Sequence, residues 1–317
     1  MRIAIGTDDG FHAIRWLAVA RAGTVASRAF EGRSVASLAA SAGILYAALP
    51  DTGVHKSDDR GASWKPVAEL PSGVRPETLT TAPAGDLLVG TEPAHLLRSS
   101  DGGASWADLT GFGALRETET WSDYGGRSAH VEAVTFDPHD ASRLYAGVEI
   151  GGAYRSDDYG QTWVGVNDGV FDDIHDLVVD PRDGSRIFAA TGGGLYVSTD
   201  RGADWRPASG GVGDVYSTRL MAIARSRAAG PSETLFLLGT AGGELWISRD
   251  SSSTWTALKA TALKGGSPVT ALAADPADPA NVLVGTAGGR LIHGNLVDDR
   301  WRQLVYGVGA VRTILVV

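Results

Sequence analysis

The sequence has no cysteine among its 317 residues. Disulfides, thiolate-bound zinc or metal clusters and a cysteine nucleophile are therefore excluded. No apolar run approaches the roughly 20 residues a membrane helix needs, and helical periodicity is nowhere sustained. Positive charge is scarce too. Lys and Arg number 28 against 37 Asp and Glu, a formal net charge of −9, and no basic cluster is present to hold a phosphate backbone. Neither nucleic acid nor a membrane is expected as a partner. The opening residues, MRIAIGTDDG, lack the basic, apolar and small-residue order of a secretory signal. With Met1 as the natural start, the expected location is cytoplasmic. What the chain has in excess is glycine, at 42 residues, and tryptophan, at 9. With 43% hydrophobic and 21% charged residues it has an ordinary globular composition, so disorder and collagen-like structure are excluded.

The tryptophans belong to a repeat. The pattern Ser-x-Asp-x-Gly-x-Ser/Thr-Trp stands intact at Ser57–Trp64, Ser99–Trp106 and Ser156–Trp163. A fourth copy, Ser198–Trp205, has Asp204 in the hydroxyl position, and a fifth, Ser248–Trp255, has Ser252 in place of glycine. A worn sixth copy ends at Trp301. Successive tryptophans lie 42, 57, 42, 50 and 46 residues apart, close to the period of a four-stranded propeller blade. Before each motif come an apolar run, a turn (Asp137-Pro138, Asp180-Pro181, Asp275-Pro276), a second run, a glycine turn and a third run. This order predicts an all-β, seven-bladed β-propeller of four-stranded antiparallel blades in a single domain spanning 1–317. Blade one is split between 1–33 and 311–317, so pairing the C-terminal VRTILVV with the N-terminal MRIAIG closes the ring.

These motifs resemble the bacterial neuraminidase repeat, or Asp-box, propeller superfamily. It includes sialidases, xyloglucanases, sortilin-type receptors and a photosystem assembly factor. The resemblance covers nearly the whole chain and implies the fold; function does not follow from fold. Asp59, Asp101, Asp158, Asp200 and Asp250 read as hairpin-holding residues, because Ser and Asp side chains satisfy turn amides and glycine takes positive φ. The resemblance places these turns opposite the ligand face. A sialidase would carry Arg-Ile-Pro, whereas here Arg186-Ile187-Phe188 and Arg143-Leu144-Tyr145 begin second strands. Xyloglucanases of the superfamily use a cleft between two propellers, and these 317 residues make one.

On the other face, aligning the first strands on Ile314, Leu38, Leu79, Val134, Leu177, Met221 and Leu272 marks one axial position per blade. Its occupants are Arg312, Ala36, Glu77, Glu132, His175, Arg219 and Thr270. Five of the seven histidines, His12, His55, His95, His130 and His175, map to the same face, as does Glu149 on the blade-four turn. His175 with Glu132 and Glu149 is the candidate catalytic set, since imidazole titrates near neutrality and a carboxylate orients it. Candidate ligand contacts are Arg219, Glu77, Arg312, His130, His95 and Tyr216. An insertion at about 108–130, carrying Trp121, Tyr124, Glu117, Glu119 and Arg127, adds either a stacking lid or a plug. No metal and no cofactor is expected: only His175 among the imidazoles is on the ring, and the turn at Thr191–Gly194 lacks the helix of a phosphate loop. The expected ligand is small and polar or a glycan, bound by a glycoside hydrolase-like protein. The alternative is a sensor or a protein-assembly scaffold with a protein partner. Asp158→Ala should then cost stability and spare binding, and Arg219→Ala should do the reverse.

Overall fold

The computed structural model describes residues 2–17, 22–117, 121, 128–224, 234–263 and 265–317. They form seven four-stranded sheets. In blades two to seven the chain supplies four consecutive strands, as in blade four: Val131–Asp137, Asp140–Val148, Gly152–Ser156 and Val164–Gly165. Blade one takes its first strand, Val311–Val316, from the far end of the chain and pairs it with Arg2–Thr7. Among the described residues no helix is long and apolar enough to cross a membrane.

Among the described residues there is no central apolar core. Buried apolar residues fall into seven layers, each between two neighbouring blades, such as Tyr145 and Ile187 between blades four and five. Alternating strand residues face opposite neighbours, so every blade contributes to two layers. Each fully buried Leu, Ile or Phe stabilises the ring by about 1.5–3 kcal/mol. Close approach is set by glycine in the second strand. A Cβ on Gly147 would meet Ile174 of the next blade at 2.5 Å, and one on Gly239 would meet Val269 at 2.4 Å.

The repeated turns join the third and fourth strands, as expected. In the Ser156–Trp163 copy, Ser156 Oγ accepts the Gly160 amide at 2.8 Å and donates to Asp158 Oδ1 at 2.8 Å. Asp158 also accepts the Thr162 amide at 2.8 Å and its hydroxyl at 2.6 Å. The same bonds recur around Asp59 and Asp101. Hydrogen bonding holds all three carboxyls at about 2, well below the usual range. Asp204 has no hydroxyl to donate, so Asp200 loses that bond and keeps the Asp204 amide at 3.0 Å and the Ser198 hydroxyl at 2.7 Å. Ser252 takes the glycine position at φ 70°. Each tryptophan packs back toward the preceding blade; the Trp205 Nε1–H, for instance, donates to Val166 O at 2.8 Å.

The sixth copy is not this turn. Asn295 Oδ1 caps the amides of Val297 and Asp298, both at 3.0 Å, and the fourth strand runs on from Arg300 to Tyr306. Trp301 keeps its place in the layer, lying over Gly294.

Candidate functional site

Six first strands slip register by one residue as they enter their sheets. The residue left unpaired is Arg312, Glu77, Glu132, His175, Thr218 or Thr270, and a bulge of this kind re-aims its side chain. These bulges and Ala36 surround the axis on the face opposite the repeated turns. There they open a polar cavity of about 280 Å³ whose lining includes Glu77, Glu132, His175, Asp176, Arg219 and Arg312. All seven residues marked by the alignment line it.

Blade six departs from the expected register by one. Leu220, 5% exposed, is the core residue, not Met221. Thr218 therefore holds the bulge and bonds backward to Gly239 O and Val269 O at 3.0 and 2.6 Å. Arg219 stands one place further, where blade five has Asp176. Its guanidinium still reaches the axis. Nε donates to Thr270 O at 3.0 Å, Nη1 to His175 O at 3.2 Å and Thr218 O at 2.6 Å, and Nη2 to Glu132 Oε1 at 3.1 Å. One side chain thus ties blades four to seven, and Arg219→Ala is expected to cost stability as well as binding, contrary to the sequence expectation.

The pairing of acids and imidazoles also differs. Glu132 partners His130, not His175. His130 is buried, with Nδ1 3.2 Å from Ser128 O, and its Nε2 lies 2.6 Å from Glu149 and 3.5 Å from Glu132. Nε2 makes no aligned hydrogen bond to either oxygen, so the contacts are close ion pairs. Burial alone would lower the His130 pKa, but the two carboxylates outweigh it and push it up to about 10. Burial would raise Glu132, yet contact with His130 and the charge of Arg219 pull it down to about 2. The ligand atoms of His130, Glu132 and Glu149 lie within 4.8 Å of one another, a spacing a metal would accept. With Arg219 on Glu132 and the His130 pKa pushed up by both carboxylates, the set is better described as an ion triad.

His175 finds a different carboxylate because its bulge sits beside the blade-five entry. Nε2 is 3.2 Å from Asp173, Nδ1 is 2.9 Å from Ser217 O, and the ring stacks under Tyr216 at 5.2 Å and 16°. Burial works against the charge, but Asp173 and the Ser217 carbonyl leave the His175 pKa raised. Arg312 forms a fork with Asp8 at 2.7 and 3.1 Å. Asp8 and Asp173 escaped the sequence reading, as did Asp176. The Asp176 carboxyl accepts the Leu177 and Leu220 amides at 3.0 and 3.1 Å. Burial pushes its pKa up to about 6 against the pull of Arg219 and both amides.

The cavity lining does not include His130, Glu149 or Tyr216, which stand beside it, and other candidates lie further away or outside the described residues. His95 is tied to Asp108 in blade three at 3.1 Å. Trp121 packs on Phe112 and Tyr154 and donates its Nε1–H to the Tyr154 hydroxyl at 2.5 Å, which covers the layer between blades three and four. Tyr124, Glu119 and Arg127 lie outside the described residues. Glu117 closes a short 3₁₀ turn, Ala114–Glu117.

No family model matches the sequence. A xyloglucanase from Paenibacillus sp is 28% identical over 163 residues, which are 45% of this chain and 16% of that protein. A xyloglucanase from Hypocrea jecorina (strain QM6a) is 33% identical over 100 residues, 26% of this chain and 12% of that protein. The matches thus span under a fifth of either relative. Among solved structures, an ancestral GH74 enzyme superposes with a TM-score of 0.62 at 17% identity, over 88% of this chain and 38% of that one. YCF48 bound to D1 peptide superposes with a TM-score of 0.59 at 14% identity, over 86% and 82%. At these identities the likeness shows the fold. The chain is a seven-bladed propeller with distant, partial similarity to GH74-type xyloglucanases.

Proposed function

We propose that the axial cavity binds one unit of a neutral sugar ligand and that the protein is a glycoside hydrolase-like propeller. The observation that carries this reading is a pair of carboxylates, Glu132 and Asp176, facing one polar cavity with Arg219 against Glu132. Their environments separate them: Glu132 is held ionised, and Asp176 keeps its proton to near neutrality. Such a split assigns acid and charge-stabilising roles. Asp176 would protonate the leaving glycosidic oxygen as the C–O bond breaks. Glu132, too weak a base to take up protons, would stabilise the positive charge left on the sugar. Water then adds its hydroxyl to that carbon and returns a proton to Asp176. His175, held by Asp173 and Ser217 O, positions the wall between them. Distant similarity to xyloglucanases supports the substrate class.

The test is a thermal-shift and hydrolysis screen over neutral mono- and oligosaccharides, with wild type beside Asp176→Asn and Glu132→Gln. A bound sugar raises the midpoint by mass action. The expected result is a sugar-dependent shift in wild type and turnover that falls at least a hundredfold in Asp176→Asn. No shift and no turnover with any sugar would overturn the reading and favour the scaffold alternative.

A further inference from the structure

Six large hydrophobic residues are exposed among the described residues, and the two aromatic ones, Phe171 and Tyr216, are 43% and 49% exposed. Both lie on the cavity face, at the entries to blades five and six. Between them is the glycine turn of blade five. A Cβ on Gly193 would sit 2.6 Å from the Phe171 ring, and one on Gly194 would meet Gly213 O at 2.0 Å. The turn is therefore bracketed by Phe171 on one side and the Gly213–Tyr216 segment on the other. It carries no side chain of its own, so the rim there is low.

The rim is continuous with the cavity. Gly192 abuts Asp173, Asp173 holds His175, and His175 both lines the cavity and supports Tyr216 from beneath. Each aromatic also has an exposed carboxylate close by in sequence, Asp172 beside Phe171 and Asp214 two residues before Tyr216. An aromatic face takes the C–H face of a pyranose, and a carboxylate accepts its hydroxyls. Two carboxylates on the rim of a chain carrying a net charge of −9 disfavour an anionic ligand.

We infer that Phe171 and Tyr216, over the Gly192–Gly194 turn, form a sugar-stacking subsite for the unit next to the one in the cavity. The inference rests on the sugar reading of the cavity. It deepens that reading, because the ligand becomes the end of a neutral oligosaccharide that leaves the cavity across blade five. Both rings are exposed and belong to none of the layers between blades, so they can be removed singly or together without disturbing those layers.

Isothermal titration with glucose, cellotetraose and a xyloglucan heptasaccharide tests it in wild type, Phe171→Ala, Tyr216→Ala, Tyr216→Phe and the Phe171→Ala/Tyr216→Ala pair. The expected result is that wild type prefers the oligosaccharides to glucose. Each alanine variant should lower the ratio of oligosaccharide to glucose affinity about tenfold, equivalent to about 1.4 kcal/mol, and Tyr216→Phe should restore it. An unchanged ratio in the double variant, with oligosaccharide still bound, would overturn the subsite and leave the cavity reading standing. Failure of all three sugars to bind wild type would overturn both.

Discussion

The two faces of the ring are built on opposite rules. On one, five turns repeat nearly the same side chains and hydrogen bonds, around Asp59, Asp101, Asp158, Asp200 and Asp250. On the other, the seven equivalent positions are Arg, Ala, Glu, Glu, His, Thr and Thr, and Arg312, Glu132 and His175 are matched with Asp8, His130 and Asp173 in turn. Repetition suits a problem that every blade solves alone, such as holding a hairpin. Divergence is confined to the place where blades meet. The charged groups are unevenly spread even there: Glu132, His175, Asp176 and Arg219 come from blades four to six, while Ala36 and Thr270 add no charge.

The largest effect expected is on turnover. Asp176→Asn should cost two to four powers of ten in kcat while stabilising the protein at pH 7. The sign follows from the raised carboxyl, at about 6 against an ordinary 3.8. The folded state holds that proton more tightly, so stability falls as pH rises from about 4 to about 6. Two pKa units correspond to an upper bound of about 3 kcal/mol. Denaturation of wild type and variant should diverge above pH 4 and coincide below it, and parallel curves would remove Asp176 from its role.

Next in size is Trp205→Ala, which empties a layer between blades and should cost about 3–5 kcal/mol by denaturant titration. Ligand affinity should survive in the folded fraction. Arg219→Ala should do both kinds of damage, lowering the melting midpoint and sugar affinity together, because its one guanidinium serves blades four to seven. A loss confined to affinity would show that the cation belongs to the ligand alone.

Smaller shifts separate the faces by pH. The carboxyls of Asp59, Asp101 and Asp158 are depressed to about 2, so their stabilising contribution is complete above about pH 4 and is lost as pH falls toward 2. Asp158→Asn should flatten part of that acid transition and leave sugar binding intact; abolished binding in a folded Asp158→Asn would mean that the faces are inverted. His130 acts at the other end. Raised from 6.5 to about 10, it stabilises fully below 6.5 and loses the effect as pH passes 10. Nitrogen NMR should show both ring nitrogens of His130 protonated at pH 8.

The repeated turns were legible in the sequence because the side-chain bonds of their motif Ser and Asp join residues at most four apart. Blade number and ring closure followed from the same local signals. The cavity was legible by position and not by partnership. The alignment brought seven residues to the axis, yet Arg219 reaches Glu132 across 87 residues, and no local pattern records that distance. A bulge that falls one residue earlier in blade six than the apolar spacing indicates turned Met221 into a false core residue. The same bulges made Asp176 a cavity residue, although it follows His175 directly and alternation assigns it to the opposite face.

Closure of the ring has a consequence for how the chain is made. Arg312 and Asp8, joined in blade one, are 304 residues apart. At 5–20 residues per second, the first-made strand waits roughly 15–60 s on the ribosome before its partner emerges. During that interval six blades stand as an open arc. Blade one, with three of its strands already made, shows Ile3, Ile5 and Ile14 on one lip, and blade seven shows Leu283 and Leu291 on the other. The nascent arc is therefore most exposed to capture by chaperones, or by the same seam of a neighbouring nascent chain, in the moments before its final strand arrives.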